Sequence, residues 1–288
     1  MKKMIALLCA AVLTMLLCSC KAANGTDVTT PTDADTTVSP AGEQTEQMRL
    51  LIVDGAETGT LVLAGENQGD VYTASKDELT VYLDDQPADA SALEDGMYVL
   101  LDGSYELLET WPAQFAGATV HAYSRGTEQN PAGMGYDLCG LWLQVLEDLW
   151  DADAGLNDGA ELISVDLSKA PGELTAGEKS AIAWIFASKH NAQPLTLTMD
   201  ELQQNGYLAT DDDVTQNEGN PVWSYWKNGL LFSITTPDGA DTDSKKEIEF
   251  NAMKWRSPLG AIFNENCTAK WNKNGTWEPY SVGSFAIA

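Results

Sequence analysis

Histidine and cysteine are scarce in this chain, which limits the chemistry that it can support. The 288 residues include two histidines, His121 and His190, and five cysteines. The sequence contains no Gly-x-Ser-x-Gly nucleophile elbow and no Cys-x-x-Cys pair. A catalytic triad would have to use one of the two histidines, and clustered zinc ligands are missing. The composition therefore favours neither a triad hydrolase nor a zinc protein.

Basic residues are also few. The chain has 16 lysines and arginines against 43 aspartates and glutamates, which gives a net charge of −27. This imbalance argues against binding of nucleic acid, because phosphate contacts depend on Lys and Arg. It also argues against a polybasic grip on anionic lipids. A surface of this charge keeps a protein soluble, and it attracts cations, divalent ions included.

The sequence lacks an apolar run long enough to span a bilayer, which needs about 20 residues. Its longest run, residues 4–17, follows the basic start Met1-Lys2-Lys3 and fits the apolar centre of a secretory signal peptide, about 7–15 residues. Leu17-Cys18-Ser19-Cys20 comes next, with a leucine, two small residues and a cysteine in order. Residues 1–19 are therefore predicted to be a signal peptide.

This order of features resembles the lipobox of bacterial lipoproteins. The resemblance implies cleavage before Cys20, diacylglycerol on its thiol and, in many cases, a further acyl chain such as palmitate on the new amino terminus. Two or three chains, at about 0.8 kcal/mol per buried methylene, form a stable anchor. We expect a mature chain of charge −29, because Lys2 and Lys3 are removed, held on the outer face of the cell membrane. The alternative is an ordinary signal peptide that is cut elsewhere.

Residues 20–47 are predicted to be a disordered tether. They are rich in Thr, Ala, Asp, Ser, Pro and Gly, and such a segment buries too little apolar surface to offset its ordering entropy. As a flexible coil the tether would span about 25–30 Å, since its length grows with the square root of the residue number.

Residues 48–125 are predicted to be a small all-β barrel. Six short apolar segments alternate with Gly, Asp and Pro, at 50–53, 60–63, 79–83, 98–101, 105–108 and 119–123. Asp102-Gly103 predicts a hairpin between the fourth and fifth of them. The strand pattern resembles the oligonucleotide/oligosaccharide-binding barrels of small Gram-positive lipoproteins, which implies a closed sheet. The basic and aromatic surface with which such barrels hold single-stranded nucleic acid is missing.

A linker at residues 126–135 precedes a second domain, residues 136–288. Its apolar positions from Leu138 to Trp150 recur with the period of an amphipathic helix. Capping boxes that begin at Thr175 and Thr198 open two further helices. Beyond residue 211 the period changes to two, and Asn228-Gly229 predicts a hairpin between 222–226 and 230–235.

Helices followed by long alternating strands predict an α+β domain, with the helices packed on a long-stranded antiparallel sheet. The same order of elements is found in nuclear-transport-factor-like and cystatin-like folds. The body of the chain is also similar to lipoproteins of gut Clostridia, a resemblance that implies location and no particular chemistry.

The run Asp151-Ala152-Asp153-Ala154-Gly155-Leu156-Asn157-Asp158 resembles the start of a calcium loop, with oxygen ligands at alternate positions. Asp151, Asp153 and Asp158 are the candidate ligands. The run departs from the EF-hand pattern, because Leu156 takes the glycine position and Leu162 replaces the twelfth-position glutamate. The alternative is a solvated acidic turn that closes the preceding helix.

The chain has nine tryptophans. Trp142, Trp150 and Trp271 lie on apolar stripes and are expected in the core. The periodicity constrains the remaining candidates less, and an exposed aromatic face in a cleft suits sugar rings or peptide side chains. The predicted ligand contacts are Trp223, Trp226, Trp255 and Trp277.

After export and lipidation, two cysteines remain, Cys139 and Cys267. They can form a disulfide bond in an oxidising compartment, or each can be a small buried hydrophobe. The sequence leaves both possibilities open.

Two classes of function follow. The first is a non-catalytic lipoprotein that binds a small molecule, a glycan or a protein of the envelope through its second domain. The alternative is an envelope hydrolase that uses paired carboxylates in that domain, since such chemistry needs no histidine. The partners expected are the membrane and this ligand, with no nucleic acid, and calcium is the one cofactor that the sequence suggests.

Overall fold

The computed structural model describes residues 48–55, 58–102, 105–108, 110–124, 127–129, 137–210, 224–240, 246–273 and 275–288. The signal peptide, the tether, Cys20 and Trp223 lie outside this part of the chain. Residues 44–288 form one compact unit, in which two helices lie between two β-sheets.

The first sheet contains nine strands in the order β5-β4-β9-β6-β1-β2-β3-β8-β7. Pairs β3–β8 and β4–β9 are parallel and the others are antiparallel. The strands are β1 (Met48–Asp54), β2 (Thr60–Ala64), β3 (Val71–Ser75), β4 (Thr80–Leu83), β5 (Gln86–Ala88), β6 (Tyr98–Leu101), β7 (Glu106–Leu108), β8 (Ala113–Ala116) and β9 (Thr119–Ala122).

The predicted closed barrel is wrong, because this sheet is open, with β5 and β7 at its edges. The hairpin predicted at Asp102-Gly103 is also wrong. Among the described strands β6 pairs with β1 and β9, whereas β7 pairs with β8. All six predicted segments form strands, but β3, β5 and β8 were not foreseen.

The α-helices of the described part of the chain are α1 (Leu138–Asp151), α2 (Ala176–Lys189) and α3 (Met199–Gln204). A two-stranded sheet joins β12 (Ala209–Thr210) to β13 (Ser224–Tyr225). The second large sheet has the order β11-β10-β14-β15-β16-β17. Its strands are β10 (Leu162–Lys169), β11 (Gln193–Leu195), β14 (Gly229–Thr235), β15 (Glu247–Ser257), β16 (Gly260–Lys270) and β17 (Ser284–Ile287).

The architecture is α+β, as the sequence predicts, but the second sheet is mixed. Strand β10 runs parallel to both β11 and β14, and only β14 to β17 form an antiparallel meander. The parallel pairing is possible because α2 provides the crossover from β10 to β11. Among the described residues, the hairpin predicted at Asn228-Gly229 does not form, since β13 pairs with β12 and β14 pairs with β10 and β15.

A central core is shared by both sheets and the helices. Strands β1 and β2 contribute alternate residues to it, Leu51 and Val53, then Val62 and Ala64. The residues between them, such as Leu50 and Leu63, face the other way into an outer core of the first sheet. Because both faces of these strands are buried, their sequences are nearly continuous apolar runs. A small barrel would instead expose one face, and this is why the barrel interpretation failed.

An irregularity in β16 changes which of its residues face the helices. Ile262 belongs to the central core, and so do Cys267 and Ala269, whose positions have the opposite parity. The register with β15 shifts between Phe250 and Ala252, opposite a residue with left-handed backbone, Asn266 (φ 52°). This bulge adds a residue and reverses the alternation. Cys267 therefore faces the helices, whereas the odd-numbered positions 261 and 263, before the bulge, lie on the opposite face.

Helix α3 covers that opposite face of the second sheet, over Leu231, Trp226 and Trp255. Its capping box at Thr198 and that of α2 at Thr175 are both formed as predicted. Among the described residues, no helix combines the length and apolar character needed to cross a membrane.

Candidate functional site

The loop predicted to bind calcium is held by a lysine. Lys254 on β15 is fully buried, and its Nζ donates hydrogen bonds to the carbonyl oxygens of Trp150, Ala152 and Asp153 at 3.1, 2.9 and 3.0 Å. These carbonyls lie in the last turn of α1 and directly after it, where the helix dipole favours a positive charge. Burial lowers the pKa of Lys254 to about 8, against the opposing effect of the Asp153 and Asp151 carboxylates.

A second cation holds the far end of the same loop. Arg256, also on β15, donates hydrogen bonds to the carbonyl oxygens of Leu156 and Asp158, and to that of Lys227 at 2.7 Å. Asp153 caps the following turn through a bond from the Gly155 amide. Within the described residues, no three acidic, histidine or cysteine side chains are grouped so that they could hold a metal ion. The structure therefore does not bring Asp151, Asp153 and Asp158 together as ligands.

The candidate tryptophans separate into two environments. Trp226 is fully buried and Trp255 nearly so, in the apolar cluster beneath α3. Trp277 is half-buried, and its indole Nε1 donates a hydrogen bond to the Asp137 carbonyl at 2.8 Å. Its ring centroid lies 5.2 Å from that of Trp271, edge to face. Trp271, expected in the core, instead lies with Trp277 beside a cleft.

One wall of this cleft is a face of α1. The residues are spaced three and four apart, so they lie on one side of the helix. They are Asp137, Gly140, Leu141, Gln144 and Asp148. Asp137 caps the helix by accepting a hydrogen bond from the Gly140 amide at 2.9 Å, and Asp148 accepts one from the Gln144 side chain at 2.8 Å.

The opposite wall is the segment 271–282, which joins β16 to β17. It contributes Trp271, Lys273, Trp277, Glu278, Tyr280 and Val282, and the turn at Glu94 and Asp95 of the first sheet completes the lining. The cavity measures about 1200 Å³. This volume exceeds the range of about 300–1,000 Å³ that is typical of small-molecule sites.

The lining is strongly acidic. Among the described residues of the lining, five carboxylates, on Glu94, Asp95, Asp137, Asp148 and Glu278, face one ammonium group, on Lys273. The pKa of the Tyr280 phenol is raised by burial and by a hydrogen bond to Asp148, so it stays neutral. The aromatic ring of Tyr280 also packs against Phe250, with centroids 5.5 Å apart. The cleft thus combines negative charge with aromatic surface.

Both histidines pack against aromatic rings. His190 stacks on Trp150 with ring centroids 3.8 Å apart, and its Nε2 lies 3.3 Å from a Glu147 oxygen. Burial lowers its pKa, although Glu147 acts in the opposite direction. His121 stacks on Tyr82 at 5.0 Å. The two imidazoles are in different layers of the fold and away from the cleft.

Cys139 and Cys267 are buried free thiols in the central core, so the disulfide considered from the sequence is not formed. Burial raises the pKa of the Cys267 thiol to about 11 and that of Cys139 well above its usual value. Both side chains therefore act as small hydrophobes.

Comparison of the chain with protein-family models, with curated proteins and with solved structures finds no match. The cleft thus has to be interpreted from its own residues. Sequence patterns identified one of its aromatic residues, Trp277, and missed Trp271 and Tyr280. The non-helical, aromatic-rich stretch 271–282 between two strand patterns was the signal that could have indicated them.

Proposed function

We propose that this chain is a lipid-anchored extracytoplasmic protein that binds a ligand, without catalysis, in the cleft between α1 and the segment 271–282. The observation that carries the proposal is the pairing of two indole rings, Trp271 and Trp277, along an acidic cavity of about 1200 Å³. Aromatic walls with a few polar groups are the usual lining of ligand sites. The lipobox at Cys20 provides the anchor, and the tether holds the folded unit clear of the lipid.

The hydrolase alternative has less support at this cleft. Paired-carboxylate catalysis needs one carboxyl group free to donate a proton and another free to attack or to activate water. Asp137 caps α1, and Asp148 accepts hydrogen bonds from Gln144 and Tyr280, so these two carboxylates already have structural roles. These bonds favour a rigid binding wall over a catalytic pair.

The anchor is tested by Cys20→Ala. We expect the variant to leave the membrane fraction, because no thiol remains to carry the acyl chains. The measurement is the distribution of the protein between membrane and soluble fractions after a high-salt wash, with Cys18→Ala as the control that stays attached. Retention of Cys20→Ala on washed membranes would show that the anchor assignment is wrong.

The binding site is tested by thermal shift with three probes, maltotetraose, tetraalanine and spermine, on the wild type and on Trp271→Ala. We expect at least one probe to raise the melting temperature of the wild type and to lose that effect in the variant. Trp111→Ala, which removes an indole 56% exposed on the first sheet, is the matched control. Circular dichroism verifies that both variants are folded. A probe that stabilises Trp271→Ala as well as the wild type binds elsewhere and contradicts the proposal.

A further inference from the structure

The charges that line the cleft are distributed over three elements. Glu94 and Asp95 belong to a turn of the first sheet, Asp148 to α1, and Glu278 to the segment opposite. No three such groups among the described residues converge as metal ligands do. The cavity of about 1200 Å³ is also far larger than a single ion requires. A ligand with several separated positive charges would therefore be complementary to the charges of the cleft.

Aromatic surface lies between these charges. The indoles of Trp271 and Trp277 line the cavity together with the phenol ring of Tyr280. An ammonium group is attracted to the face of an aromatic ring, most strongly to tryptophan, and forms short charge-assisted hydrogen bonds with carboxylates. Methylene groups pack on the same rings. A chain that alternates ammonium groups with short methylene spacers satisfies both kinds of surface.

We infer that the cleft binds a linear aliphatic polyamine, an inference that rests on the proposed function and names its ligand class. The ammonium groups pair with Glu94 and Glu278, and the methylene spacers lie along Trp271 and Trp277. Lys273, the one cation among the described lining residues, lies in the same wall as Glu278 and limits how many ammonium groups the cleft accepts.

The test is calorimetric titration of the mature chain with spermine at about 0.15 M NaCl, where weak surface attraction is largely screened. We expect saturable binding of one spermine per chain. The double variant Glu94→Gln/Glu278→Gln should weaken it at least tenfold, which corresponds to about 1.4 kcal/mol. Asp200→Asn/Glu249→Gln makes the same change of charge at exposed positions on the α3 side of the second sheet. This control should bind spermine within about twofold of the wild type.

Two results would overturn the inference. If both double variants weaken binding equally, spermine responds to overall charge and not to the cleft. If spermine does not bind, the ligand is not a polyamine. In the second case maltotetraose and tetraalanine separate the two proposals. Binding of either, lost in Trp271→Ala, leaves the cleft as a ligand site of another class, whereas no binding of any probe removes the proposed function as well.

Discussion

Gly177 decides how closely α2 approaches the first sheet. A β-carbon at this position would lie 2.2 Å from the carbonyl oxygen of Gly65, which is backbone and cannot move aside as a side chain would. The Gly177 amide donates to the Glu66 carbonyl at 3.4 Å, and the Thr175 hydroxyl donates to the Gly65 carbonyl at 2.9 Å. The helix is therefore bonded to the turn between β2 and β3 at van der Waals distance.

We expect Gly177→Ala to lower the free energy of unfolding by about 1–3 kcal/mol, the usual cost of overpacking. Alanine favours the helix itself, so a helix free of this contact would gain stability instead. Urea denaturation followed by circular dichroism measures the difference. Gly59→Ala is the control, because a β-carbon there meets no atom within 4 Å. An unchanged or raised midpoint for Gly177→Ala would contradict the close packing of α2 on this turn.

At the scale of the element, the capping boxes of α2 and α3 share one sequence pattern, a threonine followed three residues later by a glutamate, but their surroundings differ. Glu178 is buried and accepts a hydrogen bond from the Thr175 amide at 2.9 Å, and burial raises its pKa. Glu201 is exposed and accepts from the Thr198 amide and hydroxyl, which lower its pKa. The two glutamates therefore make opposite contributions to the pH dependence of stability.

We expect Glu178→Gln and Glu201→Gln to change the pH dependence with opposite signs. The folded state holds the Glu178 proton more tightly than the unfolded state, so the wild type gains stability relative to Glu178→Gln as pH falls from about 7 to about 4.5. For Glu201 the folded pKa is lowered, so the wild type loses stability relative to Glu201→Gln as pH falls below about 4.5.

Urea midpoints of the wild type and both variants, measured between about pH 7 and about pH 3 so that the range covers the loss expected for Glu201, test this pair of predictions. Each unit of pKa shift at the buried Glu178 corresponds to about 1.4 kcal/mol. Parallel pH profiles for the wild type and Glu178→Gln would show that the buried carboxylate has an ordinary pKa.

The sequence predicted the elements better than their pairing. Caps at Thr175 and Thr198 and the stripe of α1 are local signals, because each depends on residues within a few turns of one helix. The partners of β6, β10 and β13 depend on contacts between distant segments, which no local pattern encodes. The cleft was partly predictable for the same reason, since Trp277 stood out by composition while its neighbours from α1 did not.

On the scale of the whole molecule, the common core determines how the chain unfolds. Val62 of β2 and Phe186 of α2 belong to one apolar cluster, which also contains Phe232 of β14. The domain boundary at residues 126–135 stays a prediction, and most of that linker, residue 126 and residues 130–135, lies outside the described residues. Because the core is shared, we expect the two predicted domains, residues 48–125 (the first region) and 136–288 (the second region), to unfold together.

Val62→Ala tests this coupling. We expect a loss of about 2 kcal/mol, as for other truncations of buried side chains. Eight of the nine tryptophans lie at or beyond Trp142, so tryptophan fluorescence reports mainly on the second region. Its urea midpoint should fall together with that of far-ultraviolet circular dichroism, while Thr60→Ala, at an exposed position on the same strand, changes neither. If Val62→Ala leaves the urea midpoint of tryptophan fluorescence unchanged, the two regions are independent folding units.

The lysine that holds the end of α1 makes the loop after this helix independent of its ionic surroundings. A calcium loop loses its shape when a chelator removes the ion, so its order depends on the concentration of the free metal in the medium. Lys254 is attached to β15, so its charge stays with the carbonyls of Trp150, Ala152 and Asp153 whatever salts the medium contains. The positive charge that neutralises the carbonyl oxygens of this loop is therefore a side chain of the protein itself, and no bound ion has to supply it.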